Sequence, residues 1–554
     1  MLIKRYEVLT VLLTALLLAP IAAVLVLSTG GISGLAGPEF FGDQSFTATW
    51  SHLLATVLPG QLATTLLLMT GVGLFTAVFG LGAAWCVTFY KIPGKRVLEW
   101  GLMLPLAIPT YISAYAYAEA VDSTGPWSSF WAQTIPQGLD MRSLAGAVFC
   151  MGVVLTPYVY ISARASFLKQ SVRLIHAARA LGAGPFACFW RIGLPLCRPA
   201  LFVGVALALM ECLNDIGAVE YLGVRTLTVG VYDTWLARGQ LGAAVQMALV
   251  LLVLMAALIF IEKSNRRDLQ DYGSADRQAE QAVFRLTPIQ FLPAVVLCLF
   301  PILFGFVVPV MVLVQLALST TPEPAGFLPA LGNSVGLALG AGLVTILIGL
   351  VLVLGQRFNP SKTAAKITQF ASIGYAVPGT VLGLGVLICL SSADDVLAKI
   401  NLHLPMSMTL FLTGSVFGLL FAYCVRFMSI SYGTLEAGLS RIPPQMDIAA
   451  RSLGAQGAQR LQRIYLPLLR PSLIGVLILV FVDAMKELPA TLILRPFDFE
   501  TLATQIYTKA SLGLIEEAAA PALLIILTGI IPVIAATKFM LPGSDQPARH
   551  RLTL

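Results

Sequence analysis

Apolar residues along this chain do not alternate with polar ones; they gather into long runs separated by short polar stretches. A bilayer core about 30 Å thick is crossed by about 20 helical residues. Twelve runs reach that length, at roughly 7–28, 62–90, 98–120, 143–168, 199–222 and 240–262, then 288–318, 333–356, 366–390, 406–430, 471–492 and 519–541. Such runs predict helices, because strands or loops exposed to lipid would leave backbone N–H and C=O groups without partners. The expected fold class is an all-α integral membrane protein with about 12 transmembrane helices. The first run follows Lys4 and Arg5 in the manner of a secretory signal, but the matching internal run at 288–318 reads it as a span.

The polar stretches set orientation. With the runs alternating in direction, 28 of the 35 Lys and Arg residues fall on one side. Cytoplasmic loops carry the excess of Lys and Arg, so that side and both termini are expected in the cytoplasm. The segment Lys263–Arg285 is the one long charged stretch between runs. It divides the chain into a first half (1–263), a cytoplasmic linker (264–287) and a second half (288–554). Six spans precede it, so the second half re-enters in the same direction. The two six-helix repeats are parallel, related by an axis along the membrane normal.

The duplication is plainest in a polar loop, where apolar composition cannot fake a match. At an offset of 272 residues, Ala177–Leu201 (AARALGAGPFACFWRIGLPLCRPAL) aligns with Ala449–Leu473 (AARSLGAQGAQRLQRIYLPLLRPSL), and 14 of 25 positions are identical. Each copy has an alanine-rich turn ending at Gly182 or Gly454, where a helix stop favours a left-handed residue. A second amphipathic stretch leads to Leu194-Pro195 or Leu466-Pro467, and Arg198-Pro199 or Arg470-Pro471 opens the next span. The predicted product is a short helix–turn–helix across the cytoplasmic surface, within loops at about 170–199 and 434–471.

Both loops resemble the EAA motif of binding-protein-dependent ABC importer permeases, E-A-A-x3-G-x9-I-x-L-P. Ala177, Ala178, Gly182, Ile192, Leu194 and Pro195 fill it once; Ala449, Ala450, Gly454, Ile464, Leu466 and Pro467 fill it again. The glutamate is missing from both copies, with His176 and Ile448 in its place and Asp447 one position earlier. Within that family the chain resembles the fused two-half permeases of ferric-iron importers, through Leu104–Pro126, Met210–Tyr232, Ala449–Ala455 and Met485–Thr504. The resemblance implies a type I ABC importer permease of the bacterial inner membrane, working by alternating access, with one copy per complex. It implies coupling loops held by two copies of an ABC ATPase subunit, ATP and Mg bound in those subunits, and a periplasmic or lipid-anchored ferric-iron-binding protein. Ferric iron is then the transported substrate. Fused relatives for thiamine, aminoethylphosphonate or polyamines share much of the pattern. An ion-coupled secondary transporter would also show parallel repeats but leaves the duplicated loops unexplained.

Composition excludes other classes. The chain is 57% hydrophobic and 11% charged, against about 25% charged in soluble domains. Its net charge of +7 lies in loops, without the aromatic–basic interleaving that stacks nucleic-acid bases. The 8 cysteines show no C-x-x-C spacing and the 4 histidines are scattered, so neither zinc nor a disulfide framework is expected. Gly94-Lys95 lacks the upstream glycine and following hydroxyl of a phosphate loop. No catalytic residue and no cofactor bound by this chain is expected; ATP hydrolysis belongs to the partner subunits.

The candidate cargo chemistry is carboxylate. The repeat offset aligns Glu211 with Asp483 and Asp215 with Glu487, each pair spaced i, i+4 on one predicted helix face. Glu211 lies twelve residues after Pro199, roughly 18 Å along a helix and so near mid-membrane. One acid there costs about 2.5–3.5 kcal/mol and four on the order of 10 kcal/mol, so these residues are expected to line a pathway or to pair inside the bundle. Ferric iron prefers hard oxygen ligands. Transient contact with Glu211, Asp215, Asp483 and Glu487 is expected, with phenol oxygens of Tyr111, Tyr115, Tyr117 and Tyr375 as further candidates. Lys486, three residues after Asp483, is the expected neutralising partner.

Overall fold

The computed structural model describes residues 2–29, 46–122, 125, 127–128, 140–268, 284–285, 288–319, 324–358, 368, 374, 377–400 and 412–540. The first half runs through α1 (Leu2–Ser28), α2 (Phe46–Ala55), α3 (Leu58–Phe89), strand β1 (Tyr90–Lys91), α4 (Lys95–Gly101) and α5 (Thr110–Val121). It continues with α6 (Leu144–Lys169), α7 (Val172–Ala180), α8 (Pro185–Cys188), α9 (Leu194–Asn214), α10 (Gly217–Tyr221), α11 (Leu227–Tyr232) and α12 (Leu241–Asp268). After strand β2 (Phe284–Arg285) come α13 (Pro288–Ile302), α14 (Val308–Ser319), α15 (Pro324–Phe358), α16 (Gly379–Ile400) and α17 (Val416–Ser440). The chain ends with α18 (Pro444–Ser452), α19 (Gly457–Arg460), α20 (Leu466–Met485), α21 (Pro489–Leu494), α22 (Leu502–Ser511) and α23 (Ile515–Met540).

Among the described residues, 11 helical stretches are long and apolar enough to cross a membrane, and a bent pair brings the number to 12. The bent pair is the third expected span, 98–120. It breaks between Lys95–Ala107 and Thr110–Val121 with a 91° angle. Pro105 and Pro109 cause the break: proline donates no N–H and pushes the residue before it out of the helical region. Ile108 accordingly has φ −98° and ψ 120°.

The fifth and eleventh spans begin earlier and end sooner than expected. Pro185–Asn214 and Gly457–Met485 are each continuous, so the amphipathic second stretch of each loop is the start of a span rather than a separate surface helix. The prolines do not break these helices. A π-helical turn, at Phe189–Gly193 and Leu461–Tyr465, precedes Pro195 and Pro467. Proline clashes with the carbonyl four residues back, here Arg191 or Arg463 inside the widened turn. The tenth span is also shifted, to Val416–Ser440. Gly414 at φ 77° turns the chain, and Ser415 in extended conformation starts the helix.

The two halves interlock. Helix α1 packs against α16 of the second half as well as α12 of its own, while α13 packs on α3, and α14 packs on both α5 and α23. Most of the linker lies outside the described residues, but β2 pairs in parallel with β1, Tyr90 opposite Phe284. Phe284 is buried beside Trp85 and Tyr90, and the Arg179 guanidinium sits 5.3 Å from its ring centroid. This two-residue pairing is the one departure from an all-helical chain among the described residues.

Candidate functional site

Each repeated loop folds as a helix, a left-handed glycine and a second helix. Ala177 and Ala178 lie in α7, Ala449 and Ala450 in α18. Gly182 has φ 85° and Gly454 φ 77°. The amides of Gly182 and Ala183 return to the carbonyls of Arg179 and Ala178; those of Gly454 and Ala455 return to Arg451 and Ala450. These are two Schellman stops, in which the glycine avoids the steric cost of positive φ. Ile192 and Ile464 sit in the π-helical turns, and Leu194-Pro195 and Leu466-Pro467 open α9 and α20. At the turn tips Leu181 and Leu453 are 89% and 87% exposed.

The loops are anchored by different chemistry. In the first, Ile175 and the π-helical turn pack into an aromatic cluster of Trp85, Phe89, Phe167 and Phe189. In the second, Asp447 stands at the position of Ile175. It accepts hydrogen bonds from Arg357 Nε (2.9 Å) and from the Tyr465 hydroxyl, with Arg460 at 3.7 Å. Asp447 therefore faces inward and does not replace the missing glutamate of the motif.

The five candidate pathway residues line one cavity of ≈ 100 Å³. Glu211, Asn214, Asp215, Tyr158, Thr110 and Tyr111 come from the first half, and Arg426, Asp483, Lys486 and Glu487 from the second. Broken helices surround it: the start of α5, the ends of α9 and α20, and the starts of α10 and α21. Side chains and free helix ends therefore meet where the two repeats meet.

The carboxylate pairs do not lie on one continuous face, because α9 ends at Asn214 and α20 at Met485. Within each pair the two members do different things. Asp215 (8% exposed) accepts from the Ala218 amide at 2.8 Å and from the Thr110 hydroxyl. Glu487 (4% exposed) accepts from the Ala490 and Thr491 amides at 3.0 and 3.1 Å, and from the Thr491 hydroxyl at 2.6 Å. Both thus satisfy the free N–H groups that open a short helix. Glu211 and Asp483 are half-buried. Asp483 is paired with Lys486 at 2.9 Å, and the Tyr158 hydroxyl donates to Glu211. No three His, Cys, Asp or Glu side chains form a group able to hold a metal among the described residues. The four carboxylates are therefore not a preassembled iron site.

Arg426 corrects the charge count. It is one of the 28 basic residues on the side expected to be cytoplasmic, but it lies mid-way along α17 and is 3.9 Å from Glu487. Of the candidate tyrosines, Tyr111 lines the cavity and its buried hydroxyl makes no hydrogen bond. Tyr115 packs on Tyr221 and Tyr117 donates to the Phe304 carbonyl, both away from the cavity; Tyr375 lies outside the described residues. Asn214 and Arg426 escaped the sequence reading. The offset of 272 that aligned the carboxylates also places Asn214 opposite Lys486 and Arg426 opposite Val154, a signal available but unused.

Residues 76–269, which include the first repeated loop and the first-half wall of the cavity, match the family of binding-protein-dependent transport system inner membrane components. Over these residues the chain is similar to permeases of the binding-protein-dependent ABC importers. The chain is 26% identical over 493 residues to an Fe(3+)-transport system permease protein of Haemophilus influenzae, covering 86% of this chain and 89% of that one. A probable sulfate transport system permease of Nephroselmis olivacea is 28% identical over 264 residues, 46% of this chain and 90% of the relative. The molybdenum transport system permease of Escherichia coli is 32% identical over 148 residues, 26% and 63% of the two chains.

Proposed function

We propose that this permease carries ferric iron across the bacterial inner membrane through the cavity between its halves, by alternating access driven by two partner ATPase subunits. The observation that carries the reading is the convergence of acidic side chains from both repeats on one cavity at broken helix ends. Transporter sites form where discontinuous helices meet at the repeat interface. Four carboxylates (Glu211, Asp215, Asp483, Glu487) against two cations (Arg426, Lys486) leave a formal charge of −2. That sign opposes sulfate and molybdate, which the other relatives are named for, and suits the cation of the Haemophilus influenzae relative. The unpartnered Tyr111 hydroxyl adds a hard oxygen to the same wall.

In this reading the repeated loops dock on the ATPase subunits through Leu181 and Leu453 and their neighbours, both termini are cytoplasmic, and a periplasmic binding protein delivers the iron. The partner subunits bind ATP and Mg; this chain holds none.

The test is iron uptake in proteoliposomes with the ATPase subunits and the iron-binding protein. Glu211→Gln, Asp215→Asn, Asp483→Asn and Glu487→Gln together are expected to cut uptake roughly tenfold or more, the factor that 1.4 kcal/mol of lost attraction represents. Assembly with the ATPase should persist, since the loops are far along the helices. Unchanged uptake in the folded quadruple variant would leave these carboxylates with structural roles alone. Lys486→Met separates the two readings further: a purely structural pair predicts a protein that fails to fold, because one charge stays buried and unpaired.

A further inference from the structure

The two halves are not equivalent at the cavity. Both of its cations come from the second half: the repeat offset puts Arg426 opposite Val154 and Lys486 opposite Asn214. The first half supplies acceptors in return. The Asn214 side-chain oxygen Oδ1, at the end of α9, accepts from two donors of the other half, the Gly379 amide at 2.7 Å and Arg426 Nη1 at 3.2 Å. Arg426 also reaches towards Glu487 at 3.9 Å. Close approach is built into this contact. A Cβ on Gly379 would stand 2.8 Å from Pro489 Cβ, 2.9 Å from Arg426 Nη1 and 3.0 Å from Glu487 Oε1, so only glycine brings the start of α16 this near.

The Arg426 interactions are incomplete. The Arg426 side chain is 9% exposed, yet its contact with Glu487 is long, and the Glu487 oxygens are engaged by the amides of α21. A charge buried this deeply is costly unless well paired. Arg426 is therefore held by a long ion pair with Glu487, by the Asn214 side-chain oxygen and by the Phe427 ring, whose centroid is 6.0 Å from its Cζ, all within the negative charge of the cavity. A multivalent cation entering the cavity would cancel that negative charge and repel the guanidinium at close range.

We propose that Arg426 and Asn214 form a latch that holds the two halves together while the cavity is empty, with Arg426 acting as a tethered counter-cation that the cargo displaces. The inference rests on the cation-pathway reading for the displacement step. The latch itself is tested without cargo. In this proposal the conformation of the partner ATPase subunits is coupled to the parting of the halves, so weakening the latch should shift that conformational equilibrium and release hydrolysis from its dependence on cargo.

The experiment measures ATP hydrolysis by the full permease with its ATPase subunits, first without binding protein and then with binding protein loaded with ferric iron. Asn214→Ala and Arg426→Met should each raise cargo-free hydrolysis, roughly tenfold or more, the shift expected from losing a hydrogen bond to a charged group. Iron-loaded binding protein should add little further stimulation in Arg426→Met. Should Arg426→Met fail to fold because Glu487 is left unpaired, Arg426→Met with Glu487→Gln removes both charges and keeps an acceptor for the α21 amides. Cargo-free hydrolysis at the wild-type level in folded Asn214→Ala and in the double variant would overturn the latch, and reduced uptake in those variants would then belong to the pathway alone. Raised cargo-free hydrolysis with full further stimulation by cargo in Arg426→Met would keep the latch and overturn displacement. Raised hydrolysis beside normal uptake in the quadruple carboxylate variant would reject the cation pathway while keeping the latch.

Discussion

Asp447 shows how one substitution between repeats changes what holds a loop. The first half fills this place with Ile175 against aromatic rings; the second half uses an acid among Arg357, Arg460 and Tyr465. Burial alone would raise the Asp447 pKa, but the hydrogen bonds from Tyr465 and Arg357, with the charges of Arg357 and Arg460, hold it below the ordinary carboxylate range. A carboxyl group depressed on folding contributes its full stability above its unfolded value of about 3.9 and loses it as pH falls through the lower folded value. Asp447→Asn is expected to cost about 1.5–3 kcal/mol, the usual worth of hydrogen bonds to a charged group. The gap in thermal stability between wild type and variant in detergent should stay constant from pH 8 to about pH 5. A gap already closed at pH 5 would show that another group controls it. Asp215 and Glu487 carry a second residue-scale lesson. Each is an acid just before a short helix, and Glu487 is followed by Leu488-Pro489. An acid followed closely by proline is a helix-start signal, so the capping role of Glu487 was legible, while Asp215, followed by Ile216-Gly217, carries no such proline. A search for transmembrane runs passed over it.

At the scale of elements, the loops depend on two left-handed glycines. A Cβ added at Gly182 or Gly454 meets nothing within 4 Å, so any penalty for substitution comes from backbone conformation and not from a clash. Left-handed geometry costs an ordinary residue roughly 1–2 kcal/mol, and more when it is β-branched. Gly182→Val with Gly454→Val should therefore abolish ATPase binding, or leave hydrolysis uncoupled from uptake. Co-purification of the subunits and an uptake assay read the two effects separately, and normal uptake in the double variant would remove the coupling role from these turns. The glycine stops were readable from sequence, because the alanine-rich turn and the glycine recur in both halves. The continuation of α8 into α9 through a π-helical turn was not. Proline after proline argues for a break, and only the packed turn against Trp85 or around Tyr465 makes the continuous helix acceptable.

For the whole molecule, the charge bias makes a topological prediction. A cysteine placed at Ser128 should be labelled only from the periplasm, and cysteines at Ser274 and Ser361, which lie outside the described residues, only from the cytoplasm. The opposite pattern in intact cells and inverted vesicles would reverse the orientation. The expected boundaries, 1–263 and 288–554, do not separate two bodies. With α1 against α16 and α13 against α3, each half gives its first helix to the other. Neither half is expected to fold and assemble alone; co-expression of the two fragments should be needed to recover a complex.

The sequence alone determined the membrane class, the approximate spans, the duplication and the acidic residues, because each is written in local composition or in a fixed offset. Hydrophobic length follows from bilayer thickness, and repeats announce themselves by spacing. Tertiary structure decided where the helices break, which of the cavity's acids also cap backbone, and that Arg426 lies in the interior, against the cavity. Those outcomes depend on contacts between residues far apart in the chain, such as Asn214 with Arg426 and Gly379. No local pattern encodes them: a charge in an apolar run reads the same whether it meets lipid, a loop or a partner across the repeat interface.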